Sequence, residues 1–280
     1  MIKLSIYLFN LSHYSEAFQH NHQSLRIYQR LAEIRPDRFD QNYAFSLNCF
    51  SRDLSTQGRY QEAFEHIQQA VAIYRRLSAS RPDRFEPDYA GALNSQAKYH
   101  ASLDSLEQAI SSQAEALVIY QRHAEKRPKV YAEDYLSSTI DHAYWQWLAR
   151  QTPDRENLVQ LEQLYLPQLQ THRQSFITSR MAFVAGCIAY RNDSVSTQTC
   201  FEQLTATYQT LPLAMQQALQ ETYLLAVIYL AQHNPTPNHE QAAQTALETY
   251  AKQRENRLAF YITETLKRLD CKYELPGRPE

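Results

Sequence analysis

A short phrase returns along this chain at a fixed interval, and such a return limits the fold more than any other feature of a sequence. Arg35-Pro36-Asp37-Arg38-Phe39 comes back as Arg81-Pro82-Asp83-Arg84-Phe85 and, altered, as Arg127-Pro128-Lys129-Val130-Tyr131, 46 residues apart each time. Other columns keep the register: Ile27-Tyr28, Ile73-Tyr74 and Ile119-Tyr120; Ala17, Ala63 and Ala109; Tyr43, Tyr89 and Tyr135; Leu47-Asn48 and Leu93-Asn94. Units of this kind bury their apolar sides only against one another, so the chain must stack.

Each unit reads as two helices. The spacing predicts a helix A from Pro87, or its counterpart Gln41, to a turn at Gly58, with Leu47, Phe50, Ser51 and Leu54 facing inward at i, i+3, i+4 and i+7. Helix B then starts near Gln61 and turns Ala63, Ile67, Ala70, Val71 and Tyr74 to one side. Small alanines let helices approach, the tyrosine fills the wider gap between units, and the proline of the returning phrase is expected to stop helix B. Only 4 glycines occur, all far apart, which excludes phosphate-cradling glycine loops and disfavours tight β-hairpins. The expected fold class is all-α, an α-α superhelix of antiparallel helix pairs.

Leu47-x2-Phe50-Ser51-x2-Leu54 followed by Gly58-x-Tyr60-x2-Ala63-x3-Ile67 resembles the tetratricopeptide repeat (TPR) pattern. The longer unit is similar to the repeats of kinesin light chain and to bacterial arrays carrying the Arg-Pro-Asp-Arg-Phe phrase. The resemblance covers about residues 12 to 135 and departs at Asp104, Leu106 and Gln113, which stand where the preceding copy has Gly58, Tyr60 and Ile67. It implies a non-catalytic scaffold that binds proteins or extended peptides along a concave groove.

The expected organisation is an incomplete first unit at 1–36, full units at 37–82 and 83–128, and helix A of a further unit at 129–150. Degenerate helical repeats follow at 151–270 and a flexible tail at 271–280. Thr152-Pro153 is expected to open a helix that Pro167 breaks, with further helices near 174–190, 195–210, 213–232, 239–254 and 256–270. Counting back one period places Met1 at Leu47, so helix A of the first unit lacks its opening turns. Ile2, Leu4, Ile6, Leu8 and Phe9 are therefore expected to face a partner, a second copy or preceding sequence. The alternative function is accordingly an oligomerisation or regulatory segment of a bacterial signalling or defence protein, assembling through this edge.

Net charge is −2, which supplies no global field for nucleic acid. No apolar run approaches the length that spans a bilayer, and Cys49, Cys187, Cys200 and Cys271 lack paired spacing. No cofactor, metal or catalytic group is expected, and the expected compartment is the cytoplasm. His13, His20 and His22 beside Glu16 read as polar helix positions, and Asp141-His142 near Ser137 and Ser138 lacks a nucleophile elbow.

One constellation is left. Projecting the TPR pattern lines the groove with Phe45, Asn48 and Arg52 in one unit, Asn94 and Lys98 in the next, and Ile140, Tyr144 and Trp147 in the third. Stacked amides can hydrogen-bond an extended backbone, cations can pair with acidic groups of the partner, and the aromatics would anchor an apolar side chain. The competing reading is that the asparagines tie neighbouring helices together.

Overall fold

The computed structural model describes residues 14–189, 194–211, 216, 219–253 and 259–270. The amino-terminal residues expected to self-associate, Ile2, Leu4, Ile6, Leu8 and Phe9, and the tail expected at 271–280 lie outside these. Every regular element among the described residues is helical. The first six helices are α1 (Tyr14–Ile34), α2 (Pro36–Thr56), α3 (Tyr60–Ser80), α4 (Pro82–Ser102), α5 (Leu106–Lys126) and α6 (Pro128–Leu148). Each has 21 residues. Their starts fall into two interleaved 46-residue series, so the repeat in sequence is a repeat of helix pairs.

The chain forms two compact units, Met1–Ile119 and Tyr120–Glu280. In the first, α1 packs on α2, α2 on α3 and α3 on α4, and α2 also lies beside α4. Successive helices thus stack in chain order as an α-α solenoid. Leu47, Phe50, Ser51 and Leu54 of α2 and Ala63, Ile67, Ala70, Val71 and Tyr74 of α3 are all buried, as their periodicity predicts.

The returning phrase plays a different part from the one expected. It is the first turn of helix A rather than a connector, and Pro87 lies inside α4 instead of opening it. Only one residue separates helix B from the next helix A: Arg35, Arg81 and Arg127, with φ −140°, −145° and −140°. The reason lies in proline itself. It forces the preceding residue out of the helical region, yet its missing N–H costs nothing at the first helical position. One proline both ends a helix and starts the next.

The other turn is equally regular. Gly58, Asp104 and Arg150 take φ of 74°, 60° and 62°. The amides of Arg59, Ser105 and Gln151 then donate to the carbonyls of Leu54, His100 and Gln146, at 2.9–3.0 Å. The loss of glycine in the later copies therefore does not change the turn; the left-handed geometry persists on residues that carry a Cβ. That geometry costs a non-glycine residue roughly 1 kcal/mol. Asp104→Gly and Arg150→Gly are each expected to stabilise the protein by about 0.5–1 kcal/mol, and Gly58→Ala to destabilise it by about 1 kcal/mol. Urea unfolding midpoints check this; a loss of stability in both glycine variants would contradict it.

In the second unit α6 packs against α7 (Arg155–Tyr165) and α8 (Thr171–Ala189), α8 against α9 (Ser194–Tyr208), α9 against α10 (Gln220–His233), and α10 against α11 (Pro237–Gln253). A short 3-10 turn at Leu166–Gln168 contains Pro167, where a break was expected. The cap of α7 is Asp154, whose Oδ1 accepts from the Asn157 amide at 3.0 Å, rather than Thr152. The last helix, α12 (Phe260–Arg268), leaves the stacking order and lies on α10 and α6.

Candidate functional site

In the first unit the five residues expected in the groove are all half-buried on α2 and α4. Positions 45, 48 and 52 follow helical spacing, and 94 and 98 repeat it one unit on. Each asparagine is already partly engaged. Asn48 Oδ1 accepts from Ser95 Oγ at 3.1 Å, across the α2–α4 contact. Asn94 Oδ1 accepts from Gln113 Nε2 at 2.7 Å, across α4–α5. Both amides hold neighbouring helices together.

Behind Arg52 sits a polar cluster that sequence reasoning missed. Asp53 is 3% exposed, and its Oδ2 accepts from Asn21 Nδ2 at 2.6 Å, joining α2 to α1. Ser51 Oγ and Tyr99 OH approach to 3.4 Å in the same interior. Burial pushes the Asp53 carboxyl up to about 6, against the opposing pull of the Asn21 bond and the Arg52 charge. Burial likewise raises the Cys49 thiol to about 11 and the Tyr99 phenol to about 12. A signal existed in the column Asn21, Ile67, Gln113. Where the middle copy buries isoleucine, the flanking copies bury amides, and a buried amide requires a partner. Those partners are Asp53 and Asn94.

This cluster gives stability a pH dependence of definite sign. The folded pKa of Asp53 lies above the ordinary carboxylate value, so its protonated form favours the fold. The contribution is fully present below about pH 4 and is lost as pH rises through about 6, amounting to on the order of 1–3 kcal/mol. Asp53→Asn keeps an acceptor for Asn21 and cannot ionise. The stability difference between variant and wild type should therefore grow in the variant's favour from pH 4 to 7, as read by denaturant unfolding. A constant difference would refute the assignment.

The third set of expected groove residues is placed differently. Ile140 is 0% and Tyr144 7% exposed, where an open groove would leave them accessible, and Trp147 is half-buried. What covers Tyr144 and Trp147 belongs to the second unit itself. Tyr144 OH lies 2.5 Å from Thr265 Oγ1 of α12. Arg268 of α12 donates to the Trp147 carbonyl and holds its guanidinium 5.1 Å from the indole centroid. The Tyr261 ring of α12 meets Trp145 edge-on with centroids 5.3 Å apart, and its hydroxyl donates to Glu221 of α10. Phe183 of α8 meets the Tyr144 ring edge-on from another side, at 5.8 Å.

The other candidate groups resolve into packing. Arg180 of α8 donates to Ser137 at 2.5 Å and pairs with Asp141, so the carboxylate beside His142 is taken up in an ion pair. His22 stacks against Phe18 and meets the Phe50 ring at a tilt. Among the described residues no group of three or more His, Cys, Asp or Glu is arranged to hold a metal ion. No described helix is long and apolar enough to cross a membrane.

Residues 1–37 and 46–81 match the model of the family described as tetratricopeptide repeat. The second match begins inside α2 and ends just after α3, so it covers the later part of one helix A, the Gly58 turn and the whole of helix B. The chain is also similar to the crystal structure of BtubC (BKLC) from P. vanneervenii, at 14% identity over 95% of this chain and 96% of that one, with a TM-score of 0.48. No curated protein matches.

Proposed function

We propose that this protein is a non-catalytic scaffold that holds a segment of a partner protein against the shared face of α2 and α4. Tetratricopeptide repeats generally mediate protein–protein interaction, and two such repeats lie within the chain. The observation that carries the finer reading is the use made of this face elsewhere in the molecule. Positions 48, 52 and 55 of α2 correspond to 140, 144 and 147 of α6. On α6 two of those positions, Tyr144 and Trp147, receive α12. In the first unit the columns of Ile140 and Tyr144 hold Asn48 and Asn94, and Arg52 and Lys98, half-buried and polar. A face of that chemistry suits a ligand with backbone carbonyls for the amide NH2 groups and carboxylates for the cations. Phe45 would take an apolar side chain beside them.

The test compares wild type with Asn48→Ala, Asn94→Ala, Lys98→Glu. Arg52 is retained because its charge relieves the buried Asp53 carboxylate. A partner is first captured from native lysate, and its affinity for each protein is then measured by calorimetry. The triple variant, with helicity unchanged, should bind at least about tenfold more weakly, corresponding to one or two lost polar contacts. The remaining affinity should fall less with added salt than that of wild type. A partner held equally by both proteins overturns the assignment.

A further inference from the structure

The last helix behaves as a ligand rather than as another member of the stack. Elsewhere in the second unit α8 packs on α6, α9 on α8, α10 on α9 and α11 on α10. α12 instead lies on α10 and on α6, two positions apart among the helices that form the first member of each pair. It reaches α6 at Tyr144 and Trp147, and the column of Tyr144, which holds Arg52 and Lys98 in the first unit, is aromatic here.

Its own sequence is that of a docking helix. Tyr261, Ile262, Thr265 and Leu266 are buried at i, i+1, i+4 and i+5, while Lys267 is exposed on the other side. The contact is rich in hydrogen bonds: Tyr144 with Thr265, Tyr261 with Glu221, and Arg268 with the Trp147 carbonyl. Aromatic and arginine anchors with a polar surround characterise interfaces between separate molecules. At 9 residues the helix is too short to be stable unless docked. It therefore owes its helical form to the surface that receives it.

We infer that the α6–α10 face is a receptor for a short amphipathic helix, and that α12 is its exchangeable intramolecular occupant. The class of ligand is set by the contacts: an aromatic-aliphatic pair, a threonine and leucine one turn later, and a terminal arginine that caps the end of α6. While α12 is docked, the face is closed to any other helix of this type. Release of α12 would open it. This goes beyond the reading of the α2–α4 face and does not depend on it, since the experiment leaves the first unit untouched.

A fluorescein-labelled peptide of residues 259–270 is titrated, by anisotropy, into full-length wild type and into full-length Tyr261→Ala, Leu266→Asn. The second protein has a weakened occupant and an intact receptor. It should bind the peptide at least about tenfold more tightly than wild type, and a peptide carrying the same two changes should bind neither. Equal binding to both proteins, or none to the variant while its remaining helices are intact by circular dichroism, overturns the proposal. Hydrogen exchange on wild type gives an independent reading should the variant unfold. Amides of α12 are expected to exchange about a hundredfold faster than those of α10. Equal protection would make α12 a permanent part of the core and the proposal wrong.

Discussion

Tyr144→Ala is expected to destabilise the protein by about 3–5 kcal/mol, whereas Tyr144→Phe is expected to cost only about 1 kcal/mol. The tyrosine ring is the meeting point of three elements. Its centroid lies 6.1 Å from that of Trp147 on its own helix, 5.8 Å from Phe183 on α8 and 6.4 Å from Tyr261 on α12. Alanine would leave a cavity walled by aromatic rings too large to collapse into it, and residual cavity volume is what raises the cost of such deletions. Phenylalanine fills the same space and removes only the bond to Thr265. That hydroxyl retains a second bond, donated to the Tyr261 carbonyl at 2.7 Å, so no orphaned donor results. Guanidinium unfolding of the three proteins checks both values. An alanine variant within 1 kcal/mol of the phenylalanine variant would mean that Tyr144 is not the keystone of this contact.

A comparable loss is expected from Tyr74→Ala in the first unit, again about 3–5 kcal/mol, while Tyr28→Ala should cost no more than about a third as much. The two tyrosines occupy the same column of the repeat, yet Tyr74 is 1% exposed and Tyr28 only half-buried. Tyr74 is enclosed on α3, which packs on both α2 and α4. Energetic weight therefore follows position in the stack rather than residue identity, as expected where each unit gains stability from its neighbours. Equal destabilisation by the two variants, measured by denaturant midpoint, would contradict this account.

Much of the architecture was legible in the chain alone. The helix pair, its 46-residue period, the faces of α2 and α3 and the break at Pro167 follow from local rules: side-chain periodicity, proline's effect on the residue before it, and the need for a left-handed turn residue. Helix starts were harder to read. Pro36 and Pro82 look like terminators because proline ends helices, and they also begin them. Only the packing of consecutive helices across a single residue reveals that both roles fall on one atom pattern. The column at Gly58 behaves in the same way: Asp104 looks like a departure, yet the hydrogen bonds closing the turn recur on it and on Arg150.

The candidate site divides along the same line. That Asn48, Arg52, Asn94 and Lys98 share one face follows from helical spacing within one period and from the period itself. That Asn48 binds Ser95, that Asn94 binds Gln113, and that Asp53 lies buried beside Asn21 depended on which helices touch. Most consequential is α12. Its amphipathic pattern shows in the sequence which side is apolar, but nothing local says what that side meets. Tyr144 and Thr265 are 121 residues apart in sequence. An apolar stripe is satisfied by any apolar surface of fitting shape, because the hydrophobic effect is non-directional. Composition and period therefore determined the stacked helix pairs, and only the tertiary structure, through shape and hydrogen-bond matching at Tyr144, Trp147 and Glu221, decided that the last helix lies on the face where a ligand was expected.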